Sequence, residues 1–459
     1  MNFWTQEKIQ EALPNAKLIN FPPEWTGKGL VIWHDNIEDN VITLIRRQGE
    51  TRGVVPNLIP NYLNQISAMM TTNAEEFLQY NKPIIEIKGN TSDAIISMAR
   101  YIRKHYKGTV AAVTGSAGKT TTTRILYNLL SSKYKTSANI NKFNTTWGLS
   151  WNMSCFDIDA DYWVIETSLG GGMSRNSAIT KPHYAIITNI APVHLKDGMT
   201  IANVAEEKAK IFNSMQQGST AIIWKDAECF DILYNAAKYK GLKVITFGEG
   251  VNCDIQVISA AQNYFIVNGQ ICSLGEKVFA KHVLLDMAAT LAVAINEGMS
   301  IDECMTVLKE FTPIEGRGAL TDIKLENDIS IHLIDEAYNA NPLSMKAAIE
   351  SFYKLYADKN KVLILGDMAE CGDKTSTYHR NIATTIRTSS PQKIILCGKE
   401  IKALYDEIKD EYNTIYFENV TELNSNIISL LNNNDYVLIK SSNSSGLHKT
   451  TKLLKKAGL

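Results

Sequence analysis

A chain of 459 residues with 45% apolar content is too long for one core and divides, on ordinary domain sizes, into about three. With 47 basic residues against 48 acidic ones, its charge argues against nucleic acid or an anionic membrane surface as partner and leaves small molecules as the expected ligands. The seven cysteines are odd in number and form no C-x-x-C pair, the first residues lack a basic-then-apolar signal, and no apolar run is long enough to span a bilayer. A soluble, cytoplasmic protein with reduced thiols is therefore expected.

From Met1 to about Lys107 the pattern is irregular, punctuated by Pro14, Pro22, Pro23, Pro56 and Pro60, and it closes with a predicted helix over Ser92 to Tyr106. Short β-rich runs then alternate with helical periodicity. Strands are predicted at Thr109 to Thr114, Tyr162 to Thr167, Tyr184 to Asn189 and Thr220 to Trp224, and helices at Lys119 to Ser132, Ile201 to Met215 and His282 to Gly298. A polar break around Phe311 to Gly318 precedes a second series, with strands at Ser330 to Asp335, Lys361 to Gly366, Lys393 to Cys397, Thr414 to Phe417 and Tyr436 to Lys440. The fold class is α/β in three domains, 1–106, 107–314 and 315–459. The middle one is built on a mainly parallel sheet, and the last is Rossmann-like without a G-x-G-x-x-G fingerprint.

The first strand of the middle domain breaks into Gly115-Ser116-Ala117-Gly118-Lys119-Thr120-Thr121, which reads as a triphosphate cradle. Glycines let backbone N–H groups approach phosphate oxygens, the following helix adds partial positive charge, Lys119 reaches the β and γ phosphates, and Thr120 is placed to ligate Mg²⁺. The usual glycine five positions before Gly118 is Val113 here, so an ordinary strand-to-helix turn is the alternative. Glu166 and His194 follow predicted strands on the cradle's side of the sheet, as candidate Mg²⁺ ligands or as turn caps. Lys208 sits one turn before Phe212 on a helix, where a lysine ordinarily snorkels. Arg317 and Asp335 are candidates to close over the nucleotide from the third domain, or else a hinge arginine and a helix cap.

The ordered set resembles the Mur ligase family, and within it the branch that adds D-alanyl-D-alanine to the cell-wall precursor. The pieces are Val113 to Thr121, Asn144 to Gly148, Ile165-Glu166, Ile187-Thr188-Asn189 with His194, Glu207-Lys208, Gly316-Arg317, Asp335 with Tyr338-Asn339-Ala340-Asn341-Pro342, and Leu365 to Glu370 with His379. The resemblance implies an N-terminal substrate domain, a central P-loop ATPase domain and a C-terminal Rossmann-like domain. The implied enzyme is a monomeric ATP-dependent ligase that joins a small-molecule carboxylate to an amine through an acyl phosphate, releasing ADP and phosphate. It implies two Mg²⁺ ions, one on Thr120 and Glu166, the other on His194 and a carbamylated Lys208. ATP contacts fall on Asp286, Arg317, Asp335, Tyr338, Asn339 and Asn341 besides the cradle, and substrate contacts on Asn144, Thr145, Arg175, Thr188, Asn189, Asp367, His379 and Lys440.

Some segments depart from the family pattern. The first hundred residues carry neither the Asp-Ser-Arg signature nor the Asp-Gly-His turn of that branch. Asp286 stands where asparagine commonly meets adenine, and Gly170 to Arg175 and Lys440 to Gly446 replace the family's usual segments. The expectation is thus a ligase acting on a non-standard carboxylate. The alternatives are the authentic D-alanyl-D-alanine-adding enzyme, a non-catalytic nucleotide-binding scaffold and a plain P-loop kinase.

Overall fold

A computed structural model describes residues 3–139, 143–191, 200–259, 263–275, 277–325, 329–389 and 391–458. His194, expected as a metal ligand, lies outside the described residues.

The proline-punctuated first hundred residues form a mixed sheet. Strand β1 (Trp4–Thr5) pairs antiparallel with β3 (Thr26–Gly27), and Thr5 caps α1 (Gln6–Ala12). Strands β2 (Lys17–Ile19), β4 (Leu30–Val31), β5 (Val41–Leu44), β6 (Ile66–Thr71) and β7 (Ile84–Glu86) line up as β2-β7-β6-β5-β4, with only β2 and β7 antiparallel. Helix α2 (Thr91–His105) begins at Asn90, whose side chain accepts from Ser92 N. Its two apolar faces serve two cores: Ile95 and Met98 pack with Trp4 and Leu44, while Ile96, Ala99 and Ile102 pack with Leu149 and Met153 of the middle segment.

The predicted alternation appears next. In chain order come β8 (Thr109–Thr114), α3 (Lys119–Ser131), β9 (Thr136–Ala138), α4 (Thr146–Cys155), β10 (Tyr162–Glu166), α5 (Met173–Thr180), β11 (Tyr184–Ile187), α6 (Ile201–Ala209), β12 (Thr220–Trp224), α7 (Phe230–Tyr239) and β13 (Lys243–Gly248). Strands β14 (Ile255–Ser259), β15 (Asn263–Val267) and β16 (Gln270–Ser273) extend the edge, β15 and β16 running antiparallel, and α8 (Lys281–Asn296) returns across the sheet. The order is β16-β15-β14-β13-β12-β11-β8-β10-β9. Both faces are covered, which is why β8 and β11 read as unbroken apolar runs: Val113 packs with Leu126, Leu284 and Met287 on one side, Ala112 with Ile187, Val204 and Phe212 on the other. The helix expected over Ile201 to Met215 stops at Ala209 and finishes as a 3₁₀ segment, Lys210–Ser214.

After α9 (Ile301–Glu310), begun by a Ser300/Glu303 capping box, a second sheet has the order β17-β18-β22-β19-β20-β21. Its strands are β17 (Ala319–Lys324), antiparallel at the edge, then β18 (Ser330–Glu336), β19 (Asn360–Gly366), β20 (Lys393–Cys397), β21 (Thr414–Phe417) and β22 (Asp435–Lys440), all parallel. Helices α10 (Pro342–Leu355), α11 (Thr375–Ser389) and α12 (Lys402–Ile408) pack on one face of this sheet with Leu363, Leu365 and Leu438. Carboxyl ends of strands from both large sheets meet at one cleft, where α/β folds bind ligands.

Candidate active site

The cleft encloses about 900 Å³, ample for a nucleotide with part of a second substrate. One wall is Ser116 to Thr121 with Asn144, Glu166, Thr188 and Asn189; the other carries Arg317, Glu336, Tyr338, Asn339 and Lys440.

Two glycines let the cradle exist. Gly115 and Gly118 have φ of 152° and 77°, and a Cβ on Gly115 would collide with Thr188 Oγ1, one on Gly118 with the Asp286 carboxyl. The loop between them is held from β11's end. Asn189 accepts from Ala117 N through Oδ1 at 2.8 Å and donates to Ala117 O at 3.0 Å, and Thr188 Oγ1 donates to the same carbonyl at 2.5 Å. Thr188 and Asn189, expected at the substrate, thus fix the phosphate loop while also lining the cleft.

Glu166 ends β10 in register with Val113, which sets its buried carboxylate beside the cradle. Thr120 Oγ1 donates to Oε2 at 2.7 Å and Asn144 Nδ2 to Oε1 at 2.6 Å. The fully buried Asn139, which sequence reasoning passed over, clamps Glu166's backbone by accepting from its N–H (2.6 Å) and donating to its carbonyl (2.9 Å). A buried carboxylate touching the P-loop threonine is a fitting hard-ion donor set for Mg²⁺ beside phosphate. Among the described residues, no three His, Cys, Asp or Glu side chains gather as a metal cluster.

Lys208 is the unexpected element of the site. It points inward from the end of α6, nearly inaccessible, and donates to Gly115 O at 3.0 Å, the same carbonyl that accepts from Lys119 at 2.9 Å. Burial, reinforced by the like charge of Lys119, pushes its amine well below the ordinary lysine range, which favours the neutral, nucleophilic form. Burial also lowers Lys119, opposed by the Glu166 carboxylate.

Three buried polar atoms of residues lining the cleft have no protein partner: Trp224 Nε1, His282 Nδ1 and, beside the cradle, Asp286 Oδ2. Unpaired buried polar atoms lining a cleft mark where a ligand's polar groups would complete the bonding. Burial pushes Asp286 well above the usual carboxylate range, against the opposing pull of the Thr122 hydroxyl and the charge of Arg317, which favours its protonated form. His282 Nε2 also lies 3.7 Å from Glu336, whose other oxygen accepts from Lys440 at 2.7 Å. Burial disfavours Glu336's charge, yet Lys440 and His282 hold it below the ordinary glutamate range.

Other expected residues have different settings. The Arg317 guanidinium stacks 4.3 Å over Tyr338 on the cleft wall. Asp335 accepts from Lys455 (3.2 Å) and Ala337 N (3.1 Å) and is not among the cleft's lining residues; neither is Asn341, which caps α10 by accepting from Ser344 N. Thr145 is exposed ahead of α4, and Arg175 pairs with Asp93 of α2 at 3.6 Å. His379 is fully buried with both ring nitrogens on backbone groups, Nε2 accepting from Met368 N (2.9 Å) and Nδ1 donating to Thr375 O (2.8 Å); Asp367 accepts from Lys399 N and Ile401 N. These two groups tie down a turn of the backbone, leaving no ring nitrogen of His379 for a substrate.

With this geometry in place, comparison with known proteins is decisive. The Mur ligase middle domain matches residues 113–294, and the Mur ligase glutamate ligase domain matches residues 324–443. The chain belongs to the Mur ligase family. This Mur ligase is 28% identical over 378 residues, 80% of its length and 83% of the other's, to the UDP-N-acetylmuramoyl-tripeptide–D-alanyl-D-alanine ligase of Rickettsia prowazekii. Its fold matches a crystal structure of MurF from Acinetobacter baumannii with a TM-score of 0.82, at 21% identity over 99% of each chain. It also matches the MurF ligase of Thermotoga maritima in complex with ADP at 0.76, with 19% identity over 94% of this chain and 97% of that one. The protein is an ATP-dependent, ADP-forming amide ligase. No helix among the described residues is long and apolar enough to cross a membrane.

Proposed function

We propose that this Mur ligase joins the carboxylate of a UDP-N-acetylmuramoyl tripeptide to the amine of D-alanyl-D-alanine, the reaction for which its relatives are named. The observation that carries the reading is the cradle with its two lysines on Gly115 O beside the buried Glu166, an apparatus that activates a carboxylate with the γ phosphate. The absence of the branch's usual signatures from the first hundred residues supports a non-standard acceptor no better than this one. The Acinetobacter structure spans 99% of the chain, that segment included.

The chemistry follows from charge. Lys119, the cradle's N–H groups and Arg317 oppose the negative charge that accumulates as the acceptor carboxylate takes the γ phosphoryl group, and the cleft keeps water from the resulting acyl phosphate. Mg²⁺, held by Thr120 and Glu166, supplies further neutralisation of the phosphates when bound. In its neutral form, which burial favours, the Lys208 amine attacks CO₂, forming an N–C bond and releasing one N–H proton to solvent; the anionic carbamate so made would supply an oxygen ligand for a second Mg²⁺ beside the phosphates.

The test is direct. With ATP, Mg²⁺, UDP-N-acetylmuramoyl tripeptide and D-alanyl-D-alanine, the expected result is ADP release that depends on the amine and a product of summed mass less one water. AMP with pyrophosphate, or ADP release indifferent to the amine, overturns the reading.

Asp286 gives a second expectation. In its protonated form, which burial favours, Asp286 offers one O–H donor and one carbonyl acceptor, groups that an asparagine amide also carries. Asp286→Asn should therefore leave the KM for ATP within about threefold, while Asp286→Ala should raise it about tenfold, the worth of one buried hydrogen bond. Initial rates against ATP concentration measure both.

A further inference from the structure

The chain that leaves Glu166 runs straight into the glycine-rich segment that departs from the family pattern, and it is bonded along its length to the loop ahead of α4. Ser168 N donates to Asn144 O at 2.9 Å, and Thr146 N donates to Gly170 O at 3.0 Å. Gly171, with φ of 86°, lets the two loops close on each other, because a Cβ there would collide with Thr146 Oγ1. Asn144 and Glu166, which touch in the cleft, therefore sit on two backbone segments that are zipped together just behind them.

One side chain clips both segments at once. Asn176 of α5 is fully buried. Its Oδ1 accepts from Thr146 Oγ1 at 2.5 Å on the Asn144 side, and its Nδ2 donates to Thr167 Oγ1 at 3.1 Å and to Ser168 O at 2.9 Å on the Glu166 side. A backbone carbonyl only accepts, so Ser168 O dictates which way the amide faces. Removing this amide would leave a buried hydroxyl and a carbonyl short of a partner, which is the costly way to lose hydrogen bonds.

We infer that Asn176 is a positioning residue for the metal site: by holding Asn144 against Glu166 it decides which carboxylate oxygen is presented to the ion. Asn144 Nδ2 occupies Oε1 at 2.6 Å, which leaves Oε2 facing Thr120 Oγ1 at 2.7 Å. Asn139 secures the backbone of Glu166, and Asn176, acting through Asn144, secures its side chain. The inference rests on the reading of Thr120 and Glu166 as the Mg²⁺ donors and is independent of which acceptor the enzyme uses.

The experiment titrates full-length wild type, Asn176→Ala, Asn144→Ala and the double variant with Mn²⁺ in the presence of ADP, following free Mn²⁺ by EPR. Calorimetric ADP binding without metal and thermal melting accompany each titration. Asn176→Ala should weaken Mn²⁺ binding about 10- to 100-fold, the usual effect of losing a group that orients a ligand. Its metal-free ADP affinity should stay within about twofold of wild type, and the double variant should bind Mn²⁺ within about twofold of Asn144→Ala alone, because the two residues act in series. Unchanged Mn²⁺ affinity in a folded Asn176→Ala, or single losses that multiply in the double variant, overturns the inference and leaves a purely structural asparagine. Should Asn176→Ala fail to fold, Thr146→Val decides: losing the hydroxyl alone should weaken Mn²⁺ about threefold, the worth of one such bond, and no change overturns the inference. A wild type without an ADP-dependent Mn²⁺ site overturns this inference together with the metal reading. A wild type that has the site but makes no product from UDP-N-acetylmuramoyl tripeptide fails only the substrate reading, and the Mn²⁺ comparison still decides the role of Asn176.

Discussion

Replacing Lys208 with Ala is expected to lower kcat by at least about 10³-fold, equivalent to some 4 kcal/mol of lost transition-state stabilisation. The physical case begins with the cost of the residue. A lysine buried from solvent, with one backbone carbonyl as its hydrogen-bond acceptor and a second lysine on that same carbonyl, is a poor structural choice, because each ammonium disfavours the other. The arrangement becomes reasonable once the amine is neutral and carries CO₂, since the product is an anion beside Lys119. Three measurements check the claim. Intact-mass or ¹³C NMR detection of the carbamate should show it in wild type under ¹³CO₂ and not in the variant. Short carboxylates such as formate or acetate should restore at least about tenfold of the lost rate by placing an oxygen in the vacated space. Lys208→Arg, permanently cationic, should be as inactive as the alanine variant and should not respond to added carboxylate. Normal turnover by Lys208→Ala would remove the carbamate from the mechanism.

Much of this site is legible in the residue order, and the reasons differ from part to part. The apolar run of β8 breaking at Gly115, and Glu166 at the end of β10, are readable because a parallel sheet covered on both faces leaves a strong trace and places strand ends together. The strands Thr109–Thr114 and Thr220–Trp224 have the bounds expected of them for the same reason. The N-terminal sheet escapes such a reading, since strands of two to six residues separated by prolines have too few periods to announce themselves. Strands β14 to β16 escape it too, lying at an antiparallel edge beyond the alternating pattern. Lys208 draws attention through resemblance alone, because an amphipathic helix is expected to turn its lysines outward and this one is turned inward by tertiary packing. Asn139 depends on contacts across the chain that no local period encodes. Thr188, Asn189, Asp367 and His379 illustrate the converse: polar residues in family motifs that bind backbone, so that the motif records how a loop is held as well as what it touches.

Lys119→Ala should be the other severe variant, with kcat/KM for ATP falling about 10³-fold, in line with the loss of a preorganised cation from a developing phosphoryl charge. Its effect should reach beyond the phosphate. Lys119 is the second cause, after burial, of the low basicity of Lys208, and both share Gly115 O. Removing its charge lets the Lys208 amine move back toward the ordinary lysine range, though burial keeps it below. The fraction of neutral amine at a given pH then falls, and so does carbamate occupancy, because only the neutral form attacks CO₂. The sign is fixed: in Lys119→Ala, ¹³CO₂ labelling of Lys208 should require a higher pH than in wild type, never a lower one. The two lysines should accordingly be non-additive, the double variant losing less than the product of the single losses, since removing Lys119 has already impaired what Lys208 does. Equal labelling profiles in wild type and Lys119→Ala, with strictly additive losses, would show that the shared carbonyl does not couple them.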